Sequence, residues 1–226
     1  MLKNIVILGA MVFALVLASP SLAQQSAAPK IIITWKAETY APSDFGGKLL
    51  PSVGSTITAY LEVVGASGKP ADLSHEIIYW YLNDKLFSNT PGVQKISFRA
   101  PEPAGDKLAV RAALPNYGSG DVLKTIQIPI VAPEAVISPS RPGISFSDTS
   151  LMFKARPFYF NIADPTRLSF NWSINGRGPD TFNDPTVLNV KLSPDTAAGF
   201  LLNILLSVSG GGQSAISNLP TLTFQP

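Results

Sequence analysis

The sequence has no cysteine and one histidine, His75, in 226 residues. Those two absences exclude thiolate clusters, Cys-His nucleophiles and multi-histidine zinc sites. They also exclude disulfides, so stability must come from ordinary core burial. A bacterial lipoprotein is excluded as well, because its processing site needs a cysteine. Charge is scarce: Asp, Glu, Lys and Arg make up 14% of the chain, against about 25% in typical globular domains. Seventeen basic and fifteen acidic residues leave a net charge of +2, with no basic stripe, so nucleic acid is not an expected partner. GSG (118–120) and GGG (210–212) read as hairpin tips, and no Gly-rich phosphate loop is present. Past the N-terminus the most apolar stretch, GFLLNILLSVSGG (199–211), holds Asn203 and falls short of the roughly 20 residues that span a bilayer.

What the sequence does have is punctuation. Twenty prolines and seventeen glycines divide it into short segments, the pattern of strands and turns. At the N-terminus, Lys3 precedes an uncharged apolar run over residues 5–18, Pro20 breaks it, and Ser21-Leu22-Ala23 supplies small residues for a peptidase. This reads as a signal peptide over residues 1–23 and places the mature protein in the export pathway. If the segment stays uncleaved, it is the one expected link to a membrane.

The rest of the chain reads as two copies of one unit. YWYLNDK (79–85) returns as FNWSINGR (170–177), with Trp80 and Trp172 in register 92 residues apart. Ile78, Trp80 and Leu82 alternate on one face, as do Phe170, Trp172 and Ile174, which is strand periodicity. Asn175-Gly176 is a strong two-residue hairpin signal and Asn83-Asp84 a weaker one. Downstream, Leu108, Val110 and Ala112 match Leu202, Ile204 and Leu206. Upstream, ITAYLEV (57–63) is matched to RPFYFNI (156–162), which puts seven extra residues of the first copy into the polar stretch 65–76. In TIQIPIV (125–131) the isoleucines alternate inward and Pro129 faces out, which predicts an edge strand. The expected fold is all-β: two tandem immunoglobulin-like β-sandwiches with Trp80 and Trp172 as structural core. The expected division is signal peptide 1–23, linker 24–30, first sandwich 31–132 and second sandwich 133–226.

The stretch WKAETYAPSDFGGKLLP (35–51) is not generic. Trp35, Ala37, Tyr40, Pro42, Phe45, Gly47, Lys48, Leu50 and Pro51 resemble a recurrent segment of exported tandem Ig-like (PKD/fibronectin-III-like) domain proteins of small-genome uncultivated bacteria, themselves uncharacterised. ARPFYF (155–160), FNWSINGR (170–177) and NDPTVLNVKLSP (183–194) are similar to the second domain of that group. The resemblance implies an envelope or surface location, Ig-like folding, proximity to pilus or secretion machinery, and no catalytic residues. Longer members would carry a C-terminal membrane helix, which is not seen after the second domain here.

Chemistry is otherwise sparse. Asp72, Ser74 and His75 crowd one loop, and residues that close in sequence cannot form a catalytic triad. Asp164, Asp180, Asp184 and Asp195 are the calcium candidates, but dense ligand spacing is missing, and Asp-Pro pairs are ordinary turn starters. No catalytic, cofactor-binding or metal residue is therefore assigned, and no cofactor is expected. The long loop 40–52 carries Tyr40 and Phe45, which the reading places over the open end of the first sandwich. Tyr60, Tyr79, Tyr81 and Tyr159 point away from the core. These six aromatics form the candidate contact surface. The expected function is a non-catalytic, exported protein, periplasmic, cell-surface or extracellular, that contacts an envelope or appendage protein. The alternative is a polysaccharide- or cell-wall-binding pair that uses the tyrosines.

Overall fold

A computed structural model describes residues 29–226 apart from Ala66, Ser119 and residues 180–182. The signal segment 1–23 and Asp180 lie outside the described residues. No helix among the described residues is long and apolar enough to cross a membrane.

Among the described residues the first unit has seven strands: β1 (Lys30–Glu38), β2 (Thr56–Val64), β3 (Ile77–Leu82), β4 (Lys85–Pro91), β5 (Lys95–Arg99), β6 (Lys107–Tyr117) and β7 (Gly120–Pro129). They form two antiparallel sheets, ordered β1-β2-β5 and β4-β3-β6-β7. The fourth strand joins the sheet of β3, whereas in a constant-type immunoglobulin domain it joins the other sheet. Period-two burial drives the pairing. In β6, Leu108, Val110, Ala112 and Leu114 are buried while the residues between them are not. They meet Ile57, Ala59, Leu61 and Val63 of β2 in one core. β7 lies at the sheet edge, where Pro129 is tolerated.

The second unit has β8 (Glu134–Pro139), β9 (Ser145–Phe146), β10 (Ser150–Phe158), β11 (Ser169–Ile174), β12 (Val187–Lys191), β13 (Leu201–Leu202), β14 (Ile204–Gly210), β15 (Gln213–Asn218) and β16 (Leu222–Phe224). Sheets β12-β10-β8 and β11-β14-β15 enclose a separate core, and β9 runs parallel to β16. The molecule is thus two tandem immunoglobulin-like sandwiches. Ile130 belongs to the first core and Ala135 to the second.

The two Trp strands match down to individual bonds. Trp80 and Trp172 are fully buried. Trp80 Nε1 donates to the Val93 carbonyl at 2.8 Å, and Trp172 Nε1 to the Pro185 carbonyl at 2.9 Å. The acceptor is 13 residues downstream in both. Burying an indole of 150–250 Å² contributes about 4–6 kcal/mol, and the bonded N–H avoids the cost of an orphaned donor. Asn83 and Asn175 end the strands with positive φ, 45° and 48°, as a type I′ turn requires. Each clamps the facing strand. Asn83 Oδ1 accepts from Ala109 N at 2.9 Å, and Asn175 Oδ1 from Asn203 N at 2.7 Å.

One expected register is wrong. β2 pairs Tyr60 with Lys95, and β10 pairs Lys154 with Val187. Because Ile96 and Leu188 are the matching core residues, Tyr60 corresponds to Lys154, an offset of 94. The match to RPFYFNI implied 99. An odd slip exchanges the two faces of a strand: the inward residues of β10 are Leu151, Phe153, Ala155 and Pro157, and Phe158 points elsewhere. The extra residues of the first domain move accordingly. Lys30 pairs with Val64 and Glu134 with Phe158; these pairs differ by 104 and 94, so the first domain carries ten more residues between β1 and β2. Only two extra residues, the step from 94 to 92, fall between β2 and β3.

Candidate functional site

The outer face of the first domain's four-stranded sheet is the most apolar exposed sheet surface of that domain. Because Ile78 and Trp80 face inward, Ile77, Tyr79 and Tyr81 face out. The register places Leu86, Tyr81, Arg111 and Thr125 in one cross-strand row, and Asn89, Tyr79, Ala113 and Leu123 in the next. Tyr79 and Tyr81 are half-buried, whereas Ile77, Leu86 and Leu123 are 47%, 54% and 58% exposed. The Arg111 guanidinium lies 4.2 Å from the Tyr81 ring centre and 3.3 Å from the Asp84 carboxylate, which fixes a cation among apolar groups. At the side of this face β7 presents ten residues of strand, and among the described residues no strand pairs with its outer edge. The corresponding face of the second domain holds Asn171, Ser173, Leu205, Ser207 and Ser209, with Ser214, Asn218 and the exposed Ile216 of β15. Its strand chemistry is the same, but its surface is mostly small and polar.

The six candidate aromatics do not form one surface. Tyr79 and Tyr81 share the face just described. Tyr60 stands on the other sheet, with the Lys95 ammonium 5.7 Å from its ring. Tyr40, Phe45 and Tyr159 meet at the junction between the domains. This corrects the expectation that loop 40–52 covers the first sandwich: Tyr40 packs on the second core.

The junction is closely bonded. Tyr40 N donates to Phe160 O at 2.9 Å, and Tyr159 N donates to Tyr40 O at 2.7 Å, a two-bond antiparallel bridge. Phe45 meets Phe158 edge-on at 5.4 Å and Tyr159 at 6.3 Å. Arg156 grips Asp44 through two bonds of 2.7 and 2.8 Å, and this partner holds the Asp44 carboxyl below its ordinary range. Gln213 accepts from Asn161 N at 2.6 Å and reaches the Val53 carbonyl at 3.4 Å. Burial, with Glu134 nearby, raises the Tyr159 phenol. A cleft of about 590 Å³ opens beside these contacts, lined among others by Glu38, Thr39, Arg99 and Asn161.

The acidic candidates are turn formers. Asp164 Oδ1 accepts the amide and hydroxyl of Thr166 at 2.9 and 2.7 Å, and Asp184 does the same with Thr186 at 2.8 and 2.7 Å. These bonds lower both carboxyls. Asp72 accepts from Ser74 N at 2.9 Å and is lowered by that bond, while His75 is exposed. Among the described residues, no group of three or more His, Asp or Glu is placed to hold a metal ion.

No family model and no curated protein matches the sequence. Similar solved structures include fibronectin(III)-like modules of CbhA from Clostridium thermocellum, at 11% identity and a TM-score of 0.27, covering 85% of this chain and 93% of that one. The Ig1-2 module of the Drosophila receptor protein tyrosine phosphatase DLAR matches at 14% identity and a TM-score of 0.28, covering 87% and 97%. A titin Ig tandem matches at 12% identity and 0.27, covering 88% and 98%. The fold assignment rests on the strand order and register above, not on these likenesses.

Proposed function

We propose that this chain is an exported, non-catalytic envelope or surface protein that works by protein–protein contact within a larger assembly such as a pilus or secretion apparatus. The contact runs through the outer face of the first domain's four-stranded sheet. The supporting observation is the apolar patch of Ile77, Tyr79, Tyr81, Leu86 and Leu123 around Arg111, bordered by β7, whose outer edge carries no strand pairing among the described residues although β1 lies beside it. Tyr and Arg set among exposed apolar groups are typical of contact hot spots, and an open strand edge accepts an extended segment of a partner. A polysaccharide site would need its aromatics in one exposed row, yet the six aromatics occupy three separate places, and Tyr81 is already covered by Arg111.

Affinity capture from the native envelope with tagged protein tests this reading. A partner retained by the wild type should be lost with Tyr81→Ala and with Leu123→Asp, each by about thirty-fold in affinity if the residue is a hot spot of roughly 2 kcal/mol. Capture of the same partner by both variants would reject the face. Sedimentation with purified cell wall, lost on the same substitutions, would replace the protein partner with polysaccharide.

A further inference from the structure

We infer that residues 39–51 form an interdomain clasp that locks the two sandwiches at one fixed angle. This segment holds nearly all of the ten residues that the first domain has in excess. Several of its side chains and backbone groups are committed to the junction or to the loop's own shape. Tyr40 enters the second core and bridges Phe160. Asp44 holds Arg156 from the opposite domain through a two-bond fork. Phe45 packs against Phe158 and Tyr159. Gly47 leaves room for the Phe45 ring: a Cβ there would lie 2.4 Å from it and force the ring to shift.

The other end of the segment is fastened to its own domain. The Lys48 ammonium sits 3.4 Å from the Trp35 ring centre. Thr39 Oγ1 donates to Leu50 O at 2.9 Å, and Pro51 O accepts from Val131 N at 2.9 Å. The receiving side is shaped to match. Tyr159 has φ +61°, a conformation that bulky residues avoid, and its amide is held by Tyr40. A conformation of that kind persists where its surroundings over-determine it. The motif Trp35, Tyr40, Pro42, Phe45, Gly47, Lys48 and Pro51 thereby acquires a mechanical role. Tandem domains ordinarily move relative to each other unless their interface is built to stop them, and this one is.

The absence of cysteine permits a clean test. Spin labels at Glu62→Cys and Asn218→Cys, one exposed site in each domain, report the interdomain distance distribution. The wild-type chain is expected to give one narrow distribution. Asp44→Ala with Phe45→Ala, which removes two partly exposed clasp contacts, should broaden it by at least about two-fold, toward the mobility usual for tandem domains. Asp84→Ala, which breaks the exposed ion pair with Arg111 and removes no clasp contact, should leave it narrow. A wild-type distribution that is already broad, or a clasp variant as narrow as the wild type, overturns the inference.

Discussion

The two domains differ most in the connection between their first and second long strands. In the second domain, β8 reaches β10 by way of β9, which pairs parallel to β16 and stays within its own sandwich. In the first domain the corresponding step is ten residues longer. It keeps the parallel contact at Ser52 and Val131, but first sends Tyr40, Asp44 and Phe45 onto the neighbour. The Trp and Asn hydrogen bonds repeat in both domains, although among the described residues β4 has no counterpart beside β11. An insertion in one copy of a duplicated fold is therefore where a pair of domains acquires something that a single domain lacks.

The largest effect should fall on the shared tryptophans. Trp80→Ala and Trp172→Ala each remove a fully buried indole and free a carbonyl, Val93 O or Pro185 O. Each should cost about 3–5 kcal/mol. Denaturant unfolding of both variants should give losses of similar size. A loss below about 1 kcal/mol for either one would break the equivalence, since fully buried aromatic truncations do not come so cheaply.

The next effect separates the copies slightly. Asn83→Ala and Asn175→Ala each delete the side-chain bond to the facing strand and leave a non-glycine residue at positive φ. Asn175 Nδ2 also donates to Leu201 O at 3.1 Å. Losses of about 1–2 kcal/mol are expected, larger at Asn175. A larger loss at Asn83 in calorimetry would mean that the extra bond contributes nothing.

Much of this architecture could be read from the residues, and the misses share one cause. Trp80 and Trp172 announce themselves because aliphatic neighbours alternate with them, and Asn175-Gly176 because only a type I′ turn calls for that pair. β6 and β14 match for the same reason: Leu108, Val110 and Ala112 carry period two without competition. In β10 the sequence is misleading, because Phe158, Tyr159 and Phe160 stand out above the plainer SLMFKA that precedes them. Two of those aromatics serve the junction, and an aromatic kept for an interface looks in sequence like one kept for a core. The loop 40–52 was marked as special by its length and motif. No local pattern could say that it closes on the second domain, because the contacts of Asp44 with Arg156 join residues 112 positions apart.

Gly47 tests the insertion directly. Gly47→Ala drives a methyl group into the Phe45 ring, which must leave Phe158 or push the loop outward. A loss of about 1 kcal/mol, at the low end for overpacking, is expected together with a broader interdomain distance distribution. Gly118→Ala makes a useful contrast: it sits at φ +65° with open space around it, between β6 and β7, so it should strain its own turn and leave the interdomain distribution unchanged. Equal broadening by both would mean that the angle between the domains responds to any destabilisation of the first sandwich, and the clasp would lose its special standing.

The smallest effect is electrostatic. Asp44 is held below the ordinary carboxyl value of 3.8, first by its hydrogen bonds to Arg156 and further by the charges of Arg156 and Lys154. A carboxyl with a depressed folded-state pKa stabilises the structure above its unfolded pKa, and that contribution disappears as pH falls through the folded value. The clasp should therefore be unchanged between pH 7 and 5 and loosen only below about pH 4. Asp44 is solvent-exposed, so screening keeps the effect small. Asp164 and Asp184 are lowered in the same direction within the second domain, so loss of stability in acid does not by itself identify the clasp. The distance distribution does, because among the described residues those two carboxylates hydrogen-bond to Thr166 and Thr186 beside them and to no clasp residue. In Asp44→Asn the acid-dependent broadening should vanish while the acid-dependent loss of stability persists. Broadening that survives in Asp44→Asn would place the acid sensitivity outside the Arg156 pair and leave the aromatic contacts of Tyr40 and Phe45 as the whole of the clasp.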